Sequence, residues 1–266
     1  MTTRRIITLL SDFGTQDAYV GSMKGVILSI NPEAVLVDLS HEVDPQDVVA
    51  GALLLAEAAP FFPPATIHLA VVDPEVGTSR LGLAVKAHGQ YWLGPDNGLL
   101  HPAVGQADDL EAVALENPVY FRPHISATFH GRDLFAPVAA QLSLGVPLAA
   151  FGPPCRGLLP LSVPQPLFAP DTVEGEIINV DRFGNLVSNL PAQEVSEWLQ
   201  GQRLRLRAGP LTLERLSRTY GDVPAGHLLA LAGSHGFLEI AVNQGSAALK
   251  VGAAAARGLP VIVERS

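Results

Sequence analysis

A proline-rich stretch near the middle of the chain sets the strongest limit on its fold. Between residues 152 and 170 there are six prolines, at positions 153, 154, 160, 164, 166 and 170. Proline has no backbone N–H and a fixed φ, so it is excluded from the interior of helices and of central strands. A segment this long without regular structure is uncommon inside a compact domain. We therefore predict two domains, residues 1–152 and 173–266, joined by a linker over 153–172.

Before this stretch, short apolar runs alternate with segments whose apolar residues recur at helical spacing. We predict helices over residues 19–30, 45–59 and 134–144, and we expect Asp44 to cap the second helix, with Pro45 in its first position. The runs predicted to be strands are 6–10, 34–39, 66–72, 81–87 and 91–93. Strands that alternate with helices indicate an α/β domain in which a mostly parallel sheet is flanked by helices.

After the proline-rich stretch the apolar runs become shorter and more evenly spaced. Turn-forming sequences, among them residues 182–185 and 233–236, separate these runs. The candidate strands are 176–180, 203–208, 211–216, 228–232, 237–242 and 260–263. This spacing predicts a smaller antiparallel domain, either a β-barrel or a sandwich.

The balance of charges and cysteines excludes several classes of protein. Lysine and arginine total 17 against 26 aspartate and glutamate residues, a net charge of -9, so we expect no nucleic-acid partner. Cys155 is the only cysteine, which excludes an intrachain disulfide and a thiolate zinc cluster and favours a cytoplasmic location. No apolar run reaches the roughly 18 residues that a membrane helix needs, so we expect no membrane partner.

Polar residues collect at three places in the first half, residues 11–17, 73–80 and 128–133. In parallel α/β sheets, ligands bind beyond the carboxyl ends of the strands. Asp12 either accepts the two hydroxyls of a ribose or caps the following helix. Asp73 and Arg80 either face one pocket or form a loop ion pair. His130 is either a base or water-orienting group, or part of a helix-entry turn.

The second half adds two polar turns, residues 181–185 and 233–237. Each is also explained as a hairpin turn, because glycine and asparagine tolerate positive φ. Glycine-rich dinucleotide motifs, Walker loops, nucleophile elbows and the HExxH zinc motif are absent from the sequence. The residues alone therefore predict an α/β enzyme with Asp, Arg and His in its loops, and they do not identify a substrate.

Six motifs follow one another along nearly the whole chain. They are SDFG at 11–14, VDPEVGTSR at 72–80, PDNGLL at 95–100, TFHGRD at 128–133, VDRFGN at 180–185 and GSHGFLEIA at 233–241. Together they resemble the motifs of the S-adenosylmethionine (SAM) hydroxide adenosyltransferase family. The relatives of that family include a fluorinase and a chlorinase that use SAM.

The resemblance implies both an architecture and a reaction. An N-terminal α/β domain would precede a C-terminal β-barrel, and the chain would form a homotrimer. SAM would bind between the N-terminal domain of one subunit and the C-terminal domain of the next. Water or hydroxide would attack C5′ of the ribose and release adenosine and methionine. Because methionine leaves as a neutral thioether, we expect neither a cofactor nor a metal.

The same resemblance assigns residues in the first domain. Asp12 would hold the ribose hydroxyls, with Asp17 nearby. Asp73, Arg80 and His130 would lie beside the reacting water as the catalytic set.

In the second domain the resemblance implies contacts with both ends of the substrate. Phe183 and Asn185 would contact the adenine side, and Asp181 and Ser234 would receive the amino and carboxylate groups of methionine. One position departs from the pattern, because His235 stands where the fluorinase has an arginine beside that carboxylate.

Three other functions remain as alternatives. A halogenase of the same fold would use chloride, but the halogenases carry a tyrosine at the Asp73 position and Tyr-Ser in place of His130-Gly131. A non-catalytic module would bind SAM or adenosine and leave it intact. An unrelated metal-dependent hydrolase would use Asp12 together with Asp73 and His130 as ligands.

Overall fold

The chain folds into two compact units that divide between Ser162 and Val163. This computed structural model describes residues 5–105, 107–252 and 256–265. Part of the proline-rich stretch is fixed within the first unit, since Cys155 N–H donates to Ala112 O and Leu159 N–H donates to the Asp96 carboxylate, each at 2.8 Å.

The first unit is built on a six-stranded sheet with the order β2-β1-β3-β5-β4-β6. Its strands are β1 Ile6–Ser11, β2 Val35–Ser40, β3 Ile67–Val71, β4 Gly82–Ala87, β5 Gln90–Pro95 and β6 Glu111–Ala114. The pairs β1–β2, β1–β3 and β3–β5 are parallel, whereas β4 is antiparallel to both β5 and β6.

The sheet is therefore mixed, which corrects the expectation of a mostly parallel one. The cause is the two-residue turn between β4 and β5, where His88 and Gly89 both have positive φ, 54° and 68°. A two-residue turn of this kind joins antiparallel neighbours, because a parallel pair requires a crossover of a dozen or more residues.

Helices cover both faces of this sheet, as predicted. Each face has its own apolar core: Met23 and Val138 belong to one, and Leu55 and Leu99 belong to the other. The α-helices of this unit are α1 Tyr19–Ile30, α2 Val48–Ala58, α3 His101–Val104 and α4 Ala136–Ser143.

Two helix starts differ from the sequence prediction. Helix α2 begins three residues later than expected, and its cap is Asp47, whose side chain accepts from Ala50 N–H at 2.9 Å, rather than Asp44. The reason is Gln46, whose φ of 67° is left-handed and cannot continue a helix. Helix α4 is preceded by one wide π-helical turn, Gly131–Phe135, closed by a bond from Ala136 N–H to Gly131 O.

The second unit contains a nine-stranded sheet that nearly closes into a barrel. Along it the order is β11-β10-β15-β8-β9-β14-β13-β12, with β7 paired to β8, and β11 lies beside β13. All neighbours are antiparallel except β12 and β13. The strands are β7 Leu167–Phe168, β8 Thr172–Val180, β9 Leu186–Pro191, β10 Leu204–Ala208, β11 Leu211–Leu213, β12 Leu216–Ser217, β13 Leu228–Ala232, β14 Phe237–Val242 and β15 Pro260–Arg265.

The described residues of this unit also form two short α-helices, α5 Ala192–Leu199 and α6 Ala247–Val251. Their buried side chains, such as Val195 and Ala248, join the core that the sheet encloses. None of the helices in the part of the chain that the structure describes is both long and apolar enough to cross a membrane.

Candidate active site

Two of the predicted aspartates follow neighbouring strands at the same edge of the first sheet. In the parallel pairing of β1 with β3, Ser11 lies opposite Val71. Asp12 comes directly after the first of these residues, and Asp73 comes two residues after the second. Both carboxylates therefore belong to the carboxyl edge of the sheet, where α/β proteins bind their ligands.

Asp73 and Arg80 form a buried, two-pronged ion pair. Arg80 Nε donates to Asp73 Oδ1 at 3.0 Å, and Arg80 Nη2 donates to Asp73 Oδ2. Only 5% of the arginine side chain and 4% of the aspartate side chain are exposed. The guanidinium carbon also lies 5.5 Å from the centre of the buried Phe135 ring. The planar guanidinium forms two parallel hydrogen bonds with the carboxylate, and these bonds fix the relative orientation of the two side chains.

His130 joins this pair through its Nδ1 atom, which lies 2.7 Å from Arg80 Nη2. A guanidinium carries only donors, so Nδ1 must accept this hydrogen bond. In the neutral imidazole the proton is then on Nε2, an assignment that follows from the hydrogen-bond partners. Burial, followed by the positive charge of Arg80, lowers the pKa of His130 below its ordinary value, so the neutral ring is the form present near pH 7.

The cluster thus brings together all three residues of the predicted catalytic set. It offers one kind of acceptor, the Asp73 oxygens, and one ring donor, the Nε2–H of His130. A carboxylate oxygen has two lone pairs, and each Asp73 oxygen is engaged once by Arg80. The group therefore combines a hydrogen-bond acceptor with a hydrogen-bond donor, the two functions by which proteins bind water.

Two loops carry these residues, and backbone packing fixes one against the other. Gly77 has a φ of 81°, and a Cβ atom built on it would lie 2.3 Å from Ala127 O. Only glycine therefore allows the loop of Asp73 and Arg80 to approach the loop of His130 this closely.

Asp133 anchors the loop that leads to His130. Its carboxylate is fully buried, accepts from Ser126 N–H at 2.9 Å and receives two bonds from Arg132, each at 2.7 Å. Although burial raises the pKa of Asp133, the hydrogen bonds from Arg132 and Ser126 hold it below its ordinary value. An ionised Asp133 thus closes the segment into a fixed turn.

The other two aspartates predicted in this unit lie on the segment after β1. Asp12 is half-buried, and its Oδ2 accepts from Gln46 N–H at 2.8 Å. Asp17 is exposed two residues before α1. The carboxylate of Asp12 is therefore positioned by backbone from the loop after β2, whereas Asp17 lies on the surface of the unit.

In the second unit, residues 181–185 form the hairpin turn between β8 and β9. Asp181 Oδ1 accepts from the N–H groups of Phe183 and Asn185, and its Oδ2 accepts from the Asn185 side chain, each at 2.8 Å. These bonds use three of about four acceptor directions of the carboxylate, so one direction on Oδ2 remains. Phe183 is 76% exposed on the turn.

Residues 233–237 form a second hairpin turn, between β13 and β14, with Ser234 exposed. Phe237 N–H donates to Nδ1 of His235 at 3.2 Å, and Nε2 of that ring lies 3.3 Å from the buried Glu239 carboxylate. Glu239 also accepts from Tyr220 Oη at 2.7 Å. Both ring nitrogens of His235 are thus engaged within this unit.

Sequence reasoning missed a second polar network at the same edge of the first sheet. Ser11 Oγ lies 2.7 Å from His41 Nδ1, and His41 Nε2 lies 3.0 Å from Asp38 Oδ1. His41 directly follows β2, so the rule that polar residues after strands are candidates would have found it.

A cavity of about 460 Å³ lies elsewhere in the first unit. Its walls include Phe62, His88 and Gln90, and the last two lie at or before the start of β5. It therefore opens at the edge of the sheet opposite to Asp73. Among residues 5–105, 107–252 and 256–265, no group of three or more His, Cys, Asp or Glu side chains is arranged to hold a metal ion.

Comparison with known proteins is consistent with this division of the chain. Residues 7–152 match the family model of the SAM hydroxide adenosyltransferase N-terminal domain, and residues 175–258 match that of the C-terminal domain. A crystal structure of an uncharacterized conserved protein from Thermotoga maritima superposes with a TM-score of 0.88. It is 37% identical, and the match covers 97% of this chain and 100% of that one.

Named relatives fall into two groups. The (R)-S-adenosyl-L-methionine hydrolase of Salinispora arenicola is 41% identical over 245 residues, 91% of this chain and 92% of that protein. A fluorinase of Nocardia brasiliensis is 29% identical over 280 residues, with 92% of each chain covered. On the strength of both domain matches and of the identity with the first group, the chain belongs to the SAM hydroxide adenosyltransferase family.

Proposed function

We propose that this protein hydrolyses SAM to adenosine and methionine. The observation that carries the proposal is the cluster of Asp73, Arg80 and His130, buried at the carboxyl edge of the first sheet. The relative from Salinispora, 41% identical, bears the name of a SAM hydrolase. The cluster combines an acceptor with a donor at one place, as the binding of a reacting water requires.

The reaction is a substitution at C5′ of the ribose. An oxygen lone pair of water forms the new C5′–O bond while the C5′–S bond breaks, and the electron pair of that bond goes to sulfur. The sulfonium becomes the neutral thioether of methionine, and one proton is lost from the attacking water. Holding the water in line with the C–S bond supplies roughly 7–11 kcal/mol of the barrier in favourable cases.

Each member of the cluster has a separate task in this proposal. Asp73 accepts a hydrogen bond from the water and is the group that takes its proton. His130 donates its Nε2–H to the water oxygen and so aims a lone pair at C5′. Arg80 fixes the rotamer of Asp73 and the tautomer of His130.

The remaining predicted residues hold the substrate. Asp12, with Asp17 nearby, binds the ribose hydroxyls, and Phe183 and Asn185 contact the adenine. Asp181 receives the ammonium group of methionine through the free direction on its Oδ2. The backbone and side chain of Ser234 receive the carboxylate, because the His235 ring is already engaged by Phe237 and Glu239.

The working form in this proposal is a homotrimer. SAM lies between the N-terminal domain of one subunit and the C-terminal domain of the next, so a subunit alone has an incomplete site. Light scattering after size-exclusion chromatography measures the mass, and a monomer with full activity contradicts this part of the proposal.

The test of the reaction is direct. Purified protein is incubated with each sulfonium epimer of SAM in chelator-treated buffer, with and without chloride, and the products are separated. We expect adenosine and methionine in equal amounts, independent of chloride and of the chelator. The (R) epimer is the expected substrate, since the relative's name specifies it.

Other products identify the alternatives. A 5′-chloro nucleoside would place the protein with the halogenases. SAM that binds and stays intact would leave a binding module, and activity that chelator removes would indicate a metal-dependent hydrolase. Against the last, the guanidinium of Arg80 occupies the space between Asp73 and His130 and repels a cation there.

A further inference from the structure

A chain of hydrogen bonds runs behind the loop that carries Asp12. Lys24 Nζ donates to Asp38 Oδ2 at 2.6 Å, and the other oxygen of that carboxylate lies 3.0 Å from His41 Nε2. His41 Nδ1 lies 2.7 Å from Ser11 Oγ, and that oxygen accepts from Phe13 N–H at 3.4 Å. The series joins α1 and β2 to the residues on both sides of Asp12.

The direction of each proton in this series is determined by its ends. Partial burial raises the pKa of Asp38, but hydrogen bonds from Lys24 and His41 outweigh it and hold the pKa below its ordinary value. An ionised carboxylate only accepts, so Nε2 of His41 donates to Asp38, and in the neutral imidazole Nδ1 then accepts from the Ser11 hydroxyl. The Ser11 oxygen can then accept the hydrogen bond from Phe13 N–H through a lone pair.

A register shift in the sheet creates this contact. Leu9 lies opposite Asp38, but Leu10 lies opposite Ser40, so one extra residue of β2 is accommodated between them. Continued by one residue, the shifted register sets His41 rather than Ser40 beside Ser11. Bulges of this kind re-aim side chains and are common next to active sites.

The loop after β2 also holds Asp12 by direct backbone bonds. Gly14 N–H donates to His41 O at 2.7 Å, and Gln46 N–H donates to Asp12 Oδ2 at 2.8 Å. The side chain of His41 is only 3% exposed, so it is a fixed part of the unit rather than a group open to substrate.

We propose that His41 is a positioning residue, which acts with Asp38 through Ser11 to fix the Asp12 carboxylate for recognition of the ribose hydroxyls. The inference rests on the proposed function, since it takes a nucleoside with both hydroxyls as the ligand of Asp12. His41 itself does not touch the substrate. Its removal lets the SDFG segment shift and weakens binding only where ribose hydroxyls are present.

The test compares two nucleosides that differ only at the ribose, adenosine and 2′,3′-dideoxyadenosine, by titration calorimetry. The variants are His41→Leu and Ser11→Ala, which break the series, and His41→Gln, whose amide both donates and accepts. His68→Leu is the matched control, because His68 is a buried histidine on β3 bonded to the Thr8 hydroxyl of β1.

We expect His41→Leu and Ser11→Ala to lose about tenfold in affinity for adenosine, part of what hydrogen bonds to a charged group provide. Their affinity for the dideoxynucleoside stays at the wild-type value. His41→Gln recovers most of the preference for adenosine, and His68→Leu keeps all of it. In turnover of SAM, the two disruptive variants raise KM and leave kcat near the wild-type value.

Several results would overturn this inference. Variants that keep the full preference for adenosine show that the series does not position Asp12, and variants that lose both nucleosides equally show a structural role only. If His41→Leu does not fold, Ser11→Ala is used for the test instead, because it removes only one oxygen atom from the buried series. Wild-type protein that binds neither nucleoside overturns the proposed function as well, whereas an unchanged preference in the variants overturns this inference alone.

Discussion

The tautomer of His130 leads to a prediction that separates two roles for this residue. A general base needs a free lone pair toward the water, but Nδ1 of His130 accepts from Arg80 and Nε2 carries the proton. We therefore predict that His130→Gln, whose amide has an acceptor and a donor but no ionisation near pH 7, retains turnover of SAM. His130→Ala is the matched variant without either group.

The expected magnitudes come from the two roles. Loss of one pre-organised donor typically lowers kcat by about 10²–10³, so we expect this loss in His130→Ala. His130→Gln should stay within about tenfold of the wild type, because one hydrogen bond of altered geometry costs roughly 1 kcal/mol. A catalytic base would give a different pattern, since both variants would lose about 10²–10⁴.

The pH dependence gives a second, independent readout. At low pH His130 is protonated at Nδ1. This nitrogen is then a donor, so it no longer accepts the hydrogen bond from Arg80 and the two positive charges repel each other. Burial and the Arg80 charge lower the pKa of His130, so wild-type kcat/KM should begin to fall only below the ordinary histidine range. His130→Gln lacks this group and should show no such fall. Steady-state assays from pH 4.5 to 8 measure both effects, and a His130→Gln variant as slow as His130→Ala would refute the donor role.

Three further predictions concern stability and packing. Arg80→Met leaves the buried Asp73 unpaired and should lower the free energy of unfolding by about 3–5 kcal/mol, most of which an added Asp73→Asn recovers in denaturant titrations. Gly77→Ala forces a Cβ against Ala127 O, 2.3 Å away, and should lower kcat with little change in adenosine affinity; an unchanged kcat contradicts the packing argument. Burial lowers the pKa of His68 from 6.5 to about 4, so the folded state resists a proton that the unfolded state accepts. The wild type should lose about 3 kcal/mol between pH 6.5 and 4 that His68→Leu does not lose, and equal losses in both would exclude burial of His68 as the cause.

Most helices and strands of the first unit can be predicted from the spacing of apolar residues in the sequence. Where the structure differs from the prediction, the cause is the conformation of one or two residues. Helix α1 runs over Tyr19–Ile30 as its spacing predicts. The sheet is mixed because a two-residue turn joins β4 to β5 as an antiparallel pair. The dipeptide His88-Gly89 is a weaker sequence signal for such a turn than Asn-Gly. The late start of α2 depends on the left-handed Gln46, a conformation that side-chain type does not predict.

In the second unit, strand β9 was missed because it is not uniformly apolar. Ser188 and Asn189 are buried within it, and each is satisfied by bonds across the sheet that appear only in the fold. Helix α5 carried a readable signal, since Ala192, Val195 and Leu199 recur at helical spacing.

For the candidate site too, the sequence predicted some features and not others. The motifs named Asp73, Arg80 and His130, but residues 50 positions apart in sequence give no sign of contact, and the tautomer of His130 depends on that contact. His41 was overlooked because it belongs to none of the six motifs, although it follows a strand at the same edge of the sheet. Single-sequence reasoning thus found the residues that we propose to contact the substrate, and it missed a residue that we propose to position one of them.

Because of the wide turn Gly131–Phe135, the geometry of the site depends on the number of residues in this segment. Its bond from Ala136 N–H to Gly131 O spans five residues, one more than in an α-helix. Deletion of one residue there would restore ordinary helix and rotate everything before it by roughly 100° about the axis of α4. His130 would then leave Arg80 although every residue type of the cluster remained. The count of residues between His130 and α4 is therefore as much a determinant of the site as their identities.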